Sequence, residues 1–195
     1  MKFAIVVGSI RQNRVSDRMA KWVQKTAQSI APEHEWALVD LKDYQLPLFD
    51  EPMPPMSGQR PKLSDNVKRY LAAMGEVDGF VFVTPEYNHS TSSALLNAID
   101  LLDFQLMKKP VMVAGHGVVG GARAIAHIKT IVNSNLGAVP MPTGFPMTDK
   151  VVDIISEDGD LAGEYERYAV ALTKQLEMLL WYADALKTAR EKGVE

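Results

Sequence analysis

Short apolar runs alternate along the chain with longer stretches in which apolar residues return every three or four positions. Lys2-Phe3-Ala4-Ile5-Val6-Val7 is a run of strand type, and Val15 to Ile30 carries Met19, Trp22, Val23, Ala27 and Ile30 at near-helical spacing until Ala31-Pro32 ends it. Trp36 to Val39 reads as a second strand and closes a β-α-β crossover. The rhythm then continues as helix over Leu63 to Glu76, strand over Gly79 to Val83, helix over Ser92 to Phe104, strand over Pro110 to Ala114 and helix over Ala122 to Asn133. A fifth strand is predicted over Leu136 to Val139, and one long helix over Leu161 to Lys192, with Leu172, Leu176, Leu179 and Leu180 on its apolar face. Asp43 to Pro61 breaks the rhythm, because its five prolines exclude regular helix and a central strand. An irregular loop over the mouth of the crevice is expected there, with Met53 to Met56 as a flexible apolar lid. Strands alternating with helices predict an α/β fold, a doubly wound five-stranded parallel sheet with helices on both faces. The loops leaving strands one, three and four then share one edge.

Composition narrows the function without naming it. No linker or compositional break divides the 195 residues, so one domain spanning 1–195 is expected. A hydrophobic share of 47% and a charged share of 23% are those of an ordinary globular protein. The first apolar run is far shorter than a signal peptide or a membrane span, which points to a cytoplasmic protein with no membrane partner. The absence of cysteine removes disulfides, thiolate catalysis and cysteine-ligated metals. His34, His89, His116 and His127 include no i, i+4 pair, so no metal site is expected. A net charge of -3 without a long basic run gives no footprint for nucleic acid. Redox chemistry here needs a borrowed cofactor.

The chemistry lies in the loops that follow the strands. Gly8-Ser9-Ile10-Arg11-Gln12-Asn13-Arg14-Val15-Ser16 joins a strand to a helix start through small residues, two hydroxyls and two guanidinium groups, a set that suits a phosphate. Thr84-Pro85-Glu86-Tyr87-Asn88-His89-Ser90 places an aromatic ring and an amide at the same edge. Gly115-His116-Gly117-Val118-Val119-Gly120-Gly121 is a glycine-rich turn that lets backbone N–H groups approach a flat ring. Flavin mononucleotide (FMN) makes these demands: a dianionic phosphate, a hydrogen-bonded ring edge and support at its N1–O2 end. Each loop alone also reads as an ordinary turn, Arg11 and Arg14 as solvated charges and Tyr87 as a partly buried aromatic; the coincidence of three loops favours the flavin. His127 reads as structural, while His89 and His116 are candidates for a general acid.

The Gly8-Ser9-Ile10-Arg11 turn, Pro85-Glu86-Tyr87-Asn88, Leu95-Leu96-Asn97-Ala98-Ile99-Asp100 and Gly120-Gly121-Ala122-Arg123-Ala124 together resemble the NAD(P)H-dependent FMN reductase family of flavodoxin-like proteins, which also includes quinone, azo-dye and chromate reductases. The resemblance runs from residue 1 to about residue 145. It implies FMN held by Ser9, Arg11, Arg14, Val15, Ser16, Pro85, Glu86, Tyr87, Asn88, His89, Gly115, His116 and Gly117, with the Glu86 and His89 backbones at the pyrimidine edge. It also implies NADPH or NADH as cosubstrate, a small-molecule electron acceptor, no catalytic side chain beyond the flavin's own N5, and a homodimer or homotetramer. An FMN-binding electron carrier without substantial NAD(P)H turnover is the alternative. Thr91-Ser92-Ser93 and Leu96 depart from the family's usual residues beside the ring, as does His116, where many relatives have glycine. Acceptor choice is expected to reflect those departures.

Overall fold

The computed structural model describes residues 1–60, 63–134 and 136–193. Strands β1 (Lys2–Val7), β2 (Glu35–Asp40), β3 (Gly79–Pro85) and β4 (Pro110–His116) pair in parallel in the order β2-β1-β3-β4. The far edge of β4 carries two short segments, β5 (Val139–Pro140) and β6 (Phe145–Met147). This is the doubly wound sheet that the strand-helix alternation predicts, in keeping with the flavodoxin-like fold that the resemblance implies. Seven helices accompany it among the described residues: α1 (Ser16–Ile30), α2 (Leu41–Tyr44), α3 (Asp65–Gly75), α4 (Ser93–Asp100), α5 (Ala122–Ser134), α6 (Val151–Ile154) and α7 (Glu166–Glu191).

Side-chain alternation along the strands builds two cores. Phe3, Ile5, Val7, Val81, Val83, Met112 and Ala114 pack with α1 and α7 on one face. Ala4, Val6, Phe80, Phe82, Val111 and Val113 pack with α3, α4 and α5 on the other. The strands are therefore apolar at nearly every position, as the sequence shows. No helix among the described residues is long and apolar enough to cross a membrane.

Several boundaries differ from the sequence pattern. The fifth strand, expected as one piece over Leu136 to Val139, is instead an edge position filled in two pieces. Val139 and Pro140 lie beside Pro110 and Val111, and Phe145 to Met147 lie beside Ala114 to His116. Pro140, Pro142 and Pro146 lack an N–H for a continuous ladder, and such residues are tolerated only at an edge. Helix α4 stops at Asp100 rather than Phe104, because Arg60 takes hold of the departing chain. Its guanidinium donates to the Leu101 carbonyl at 3.0 Å and to Asp103 at 3.2 Å, and also pairs with Glu51. Helix α7 starts at Glu166 rather than Leu161, since Leu161 forms an antiparallel bridge with Ile155, and Leu180 is only partly buried on it.

The proline-rich segment starts beside the first loop, as expected, but its later part lies elsewhere; Pro61 falls outside the described residues. Asn97 of α4 fastens it, accepting from the Phe49 N–H and donating to the Pro47 carbonyl, both at 2.8 Å. Leu46 and Leu48 border the first loop beside Ile10. Pro52 to Met56 then line a cavity of about 570 Å³ with Ile99, Leu102, Ile131 and Leu136, near the carboxyl ends of α4 and α5. Those helix ends lie away from the carboxyl ends of the strands, so Met53 to Met56 form no lid over the crevice.

Candidate functional site

The connection from β1 runs outward to β2 and the connection from β3 runs the opposite way to β4, and a crevice opens where they diverge, at the carboxyl ends of β1 and β3. The first loop enters it as the Gly8 N–H donates to the Val83 carbonyl at 2.8 Å. Ser9 is buried, with its hydroxyl 3.4 Å from the Tyr87 hydroxyl and accepting from the Arg11 N–H at 3.4 Å. Arg14 turns inward and braces the loop: its guanidinium donates to the Ser9 carbonyl and to Asp40 at the end of β2, each at 2.7 Å, with a second bond to the same carboxylate. Arg11 differs. Its guanidinium lies over the Tyr87 ring, 5.9 Å from the centroid, and no carboxylate pairs with it among the described residues. Helix α1 begins at Ser16 after Val15, which supplies no side-chain cap, whereas Ser64 and Ser92 cap α3 and α4. The first N–H groups of α1 are therefore left for an outside acceptor.

The second loop is a tight turn. The Tyr87 and Ser90 backbones bond reciprocally at 2.8 and 3.0 Å, with Asn88 (φ 49°) and His89 (φ 63°) in the left-handed region and exposed between them. Two residues one turn apart on α5 hold this loop from behind. Arg123 donates its backbone N–H and its guanidinium to the Glu86 carboxylate at 3.0 and 2.8 Å, and the His127 ring meets the Ser90 hydroxyl at 2.7 Å. Burial pushes the Glu86 carboxyl up, but the Arg123 hydrogen bonds outweigh it and hold the group below its ordinary range. Thr84 and Thr91 join across the turn at 2.5 Å, and the Ser92 hydroxyl returns to the Gly8 carbonyl. Pro85 ends β3 directly opposite His116.

The third loop touches both others. The Glu86 N–H donates to the His116 carbonyl at 3.0 Å, so of the Glu86 backbone expected at a ring edge the N–H is already engaged. The buried His116 ring places Nε2 2.8 Å from the Ser16 hydroxyl, at the start of α1. His116 and Gly117 line a cavity of about 490 Å³ with Val15, Val118 and the segment from Thr148 to Val152. Gly115 packs so closely that a Cβ there would sit 3.0 Å from the Gly120 and Gly121 carbonyl oxygens.

Burial lowers the His116 pKa from 6.5 to about 4. Between those values only the unfolded chain takes up the proton, so the stability due to the neutral ring is intact above pH 6.5 and is lost as the pH falls toward 4. The loss should reach about 1 kcal/mol by pH 5.5. Urea denaturation of His116→Gln should lose most of this slope between pH 7 and 5; an unchanged slope would contradict the assignment.

The donor set fits FMN: the hydroxyls of Ser9 and Ser16, the Arg11 guanidinium and the uncapped start of α1 are groups that would suit its phosphate, and the Tyr87-Asn88-His89 turn and Gly117 follow the paired strands β3 and β4 at the same sheet edge. Of the residues singled out from sequence, Arg14 and Glu86 serve as internal braces through their side chains. Asp40 and Arg123 complete the site's support and were not among the predicted site residues, while His127, read as structural, braces the turn at Ser90. Arg123 and His127 had a readable signal, their i, i+4 spacing directly after the glycine turn; Asp40 had none.

The sequence pattern of the family described as NADPH-dependent FMN reductase matches residues 1–153. An NAD(P)H-dependent FMN reductase of Nectria sp is 33% identical over 131 residues, covering 65% of this chain and 65% of its own length, just under two thirds. A quinone reductase of Escherichia coli is 31% identical over 138 residues, 68% of this chain and 69% of that protein. Among solved structures, a flavoenzyme NAD(P)H:(acceptor) oxidoreductase from Paracoccus denitrificans is similar with a TM-score of 0.72 and 25% identity, covering 96% of this chain and 97% of that one.

Proposed function

This chain belongs to the NADPH-dependent FMN reductase family, and on that premise we propose that it is an FMN-dependent oxidoreductase that uses NADPH or NADH to reduce a quinone-like acceptor or free flavin. The observation that carries the reading is the meeting of three post-strand loops, Ser9 with Tyr87, Ser16 with His116 and Glu86 with His116, beside an arginine that no carboxylate neutralises among the described residues. When bound, FMN supplies the two-electron chemistry, and the protein supplies position and electrostatics. Ser9, Arg11, Ser16 and the uncapped start of α1 hold the phosphate. Arg14, tied to Asp40, keeps that loop in shape. Tyr87, Asn88, His89, Gly115 and Gly117 frame the ring, and the α5 pair Arg123 and His127 fixes the turn that carries three of them. A quinone reductase among the relatives supports a small planar acceptor. A cytoplasmic location, where reduced nicotinamides are available, accompanies this reading.

If a bound flavin offered one ring face to both substrates, nicotinamide would have to leave before the acceptor entered. Initial rates with NADPH varied at several quinone concentrations should give parallel lines, the pattern of an enzyme that stores electrons between substrates. Intersecting lines would refute the shared face, and absence of NAD(P)H oxidation would turn the reading to an electron carrier.

The reading includes a homodimer, or a pair of dimers. Apolar side chains beside the site are open to solvent, with Val118 98% and Ile10 53% exposed, and Phe104 beyond α4 is 51% exposed. Exposed apolar residues beside a site suit contact with a second copy of the chain. Light scattering at micromolar concentration should give two or four times the chain mass; a fully active monomer would overturn this.

A further inference from the structure

Ser16 and His116 lie a hundred residues apart, yet their side chains meet at 2.8 Å and both are buried. We infer that His116 is a positioning residue for the FMN phosphate, acting through Ser16: its ring donates from Nε2–H to the Ser16 hydroxyl oxygen, which leaves the hydroxyl proton for the phosphate. This inference rests on reading the first loop as the phosphate site.

A serine hydroxyl has one proton to give and two lone pairs that accept. If Ser16 gave its proton to His116, it would turn only lone pairs toward a dianion. If the ring is the donor, Ser16 becomes a donor to the phosphate, and the chain of two hydrogen bonds is polarised toward the anion. Ser16 is the first residue of α1, whose start has no side-chain cap, so its proton joins N–H groups already left for an acceptor. The His116 carbonyl receives the Glu86 N–H, which fixes the backbone that aims the ring. Burial favours the neutral imidazole, so one ring nitrogen carries the proton and the other does not, and this donor role needs no second proton. The same residue thus links the phosphate loop to the loops that frame the ring, and selects a phosphorylated flavin over one without phosphate.

The test compares FMN with riboflavin, by fluorescence titration of flavin-free protein carrying His116→Leu, His116→Gln, Ser16→Ala or the Ser16→Ala/His116→Leu pair. The leucine variant should bind FMN about tenfold more weakly or worse, the worth of a hydrogen bond to a charged group, and riboflavin with unchanged affinity. The glutamine variant, whose amide NH₂ can reach the same hydroxyl, should recover most of the loss, and the pair should be no weaker than Ser16→Ala alone. Equal weakening of both flavins, or none, would overturn the inference. If the unaltered protein itself does not prefer FMN, the phosphate reading falls with it. Should the leucine variant fail to fold, ¹⁵N shifts of His116 in the unaltered FMN-bound protein decide: the Nε2–H tautomer is expected, and Nδ1–H would overturn the inference.

Discussion

Replacing Arg11 with alanine should weaken FMN binding by about 1.5–3 kcal/mol, the range for a hydrogen bond to a charged group, or on the order of ten- to a hundredfold in Kd. Arg11 is the larger lever because the neighbouring arginine is committed elsewhere: Arg14 spends its guanidinium on Asp40 and the Ser9 carbonyl. The Arg11 guanidinium rests on the Tyr87 ring and is exposed. Its removal leaves no internal carboxylate stranded, so the loss should appear in FMN affinity and not in folding. Riboflavin affinity should hold, and excess FMN should rescue turnover because the ring-framing loops are intact. Titration of flavin-free Arg11→Ala with FMN is the measurement, and an unchanged Kd would remove the phosphate from this loop.

The second large effect is on stability. Gly121 has φ +73°, and a Cβ there would lie 2.7 Å from the His116 nitrogen and 2.8 Å from the Gly115 Cα and carbonyl carbon, all backbone atoms that cannot step aside singly. The left-handed backbone alone costs a non-glycine residue about 1–2 kcal/mol. Adding displacement of the third loop, Gly121→Ala should destabilise the fold by roughly 2–4 kcal/mol. Gly163→Ala is the control, because nothing lies within 4 Å of a Cβ at that position; it should stay within about 0.5 kcal/mol of the parent. Urea denaturation of the two variants side by side checks this, and equal stability would show that the third loop adapts freely.

The sheet was legible because buried parallel strands announce themselves as apolar runs: Lys2 to Val7 and Pro110 onward were placed from composition alone. What escaped was set by contacts distant in sequence. Phe145 to Met147 holds a proline and follows Gly144, and reads as loop until the free edge of β4 gives it a partner. Arg60 ends α4 from 41 residues away, which no local pattern around Phe104 reveals. At the site, residue types pointed to three loops that the fold brings into contact, but the division of labour within them depended on register. Arg11 and Arg14 look alike in the chain, and only the alignment of β1 with β2 brings Asp40 to one of them. Likewise the N–H of the Glu86 backbone is engaged because β3 and β4 stay paired through Pro85 and His116, which no local pattern shows. The proline-rich segment was recognised as irregular but misplaced, since proline content says that a chain cannot be regular and nothing about the helix it will lie against.

The central claim is that this chain holds FMN at these three loops and reduces it with a nicotinamide. The most direct measurement is the visible absorbance of the purified protein, loaded with FMN and freed of excess, before and after anaerobic addition of NADPH and, separately, NADH. A protein-bound flavin band that bleaches with at least one nicotinamide and returns when a quinone is added is the predicted result. A protein that retains no flavin, or a bound flavin that neither nicotinamide bleaches, would contradict it.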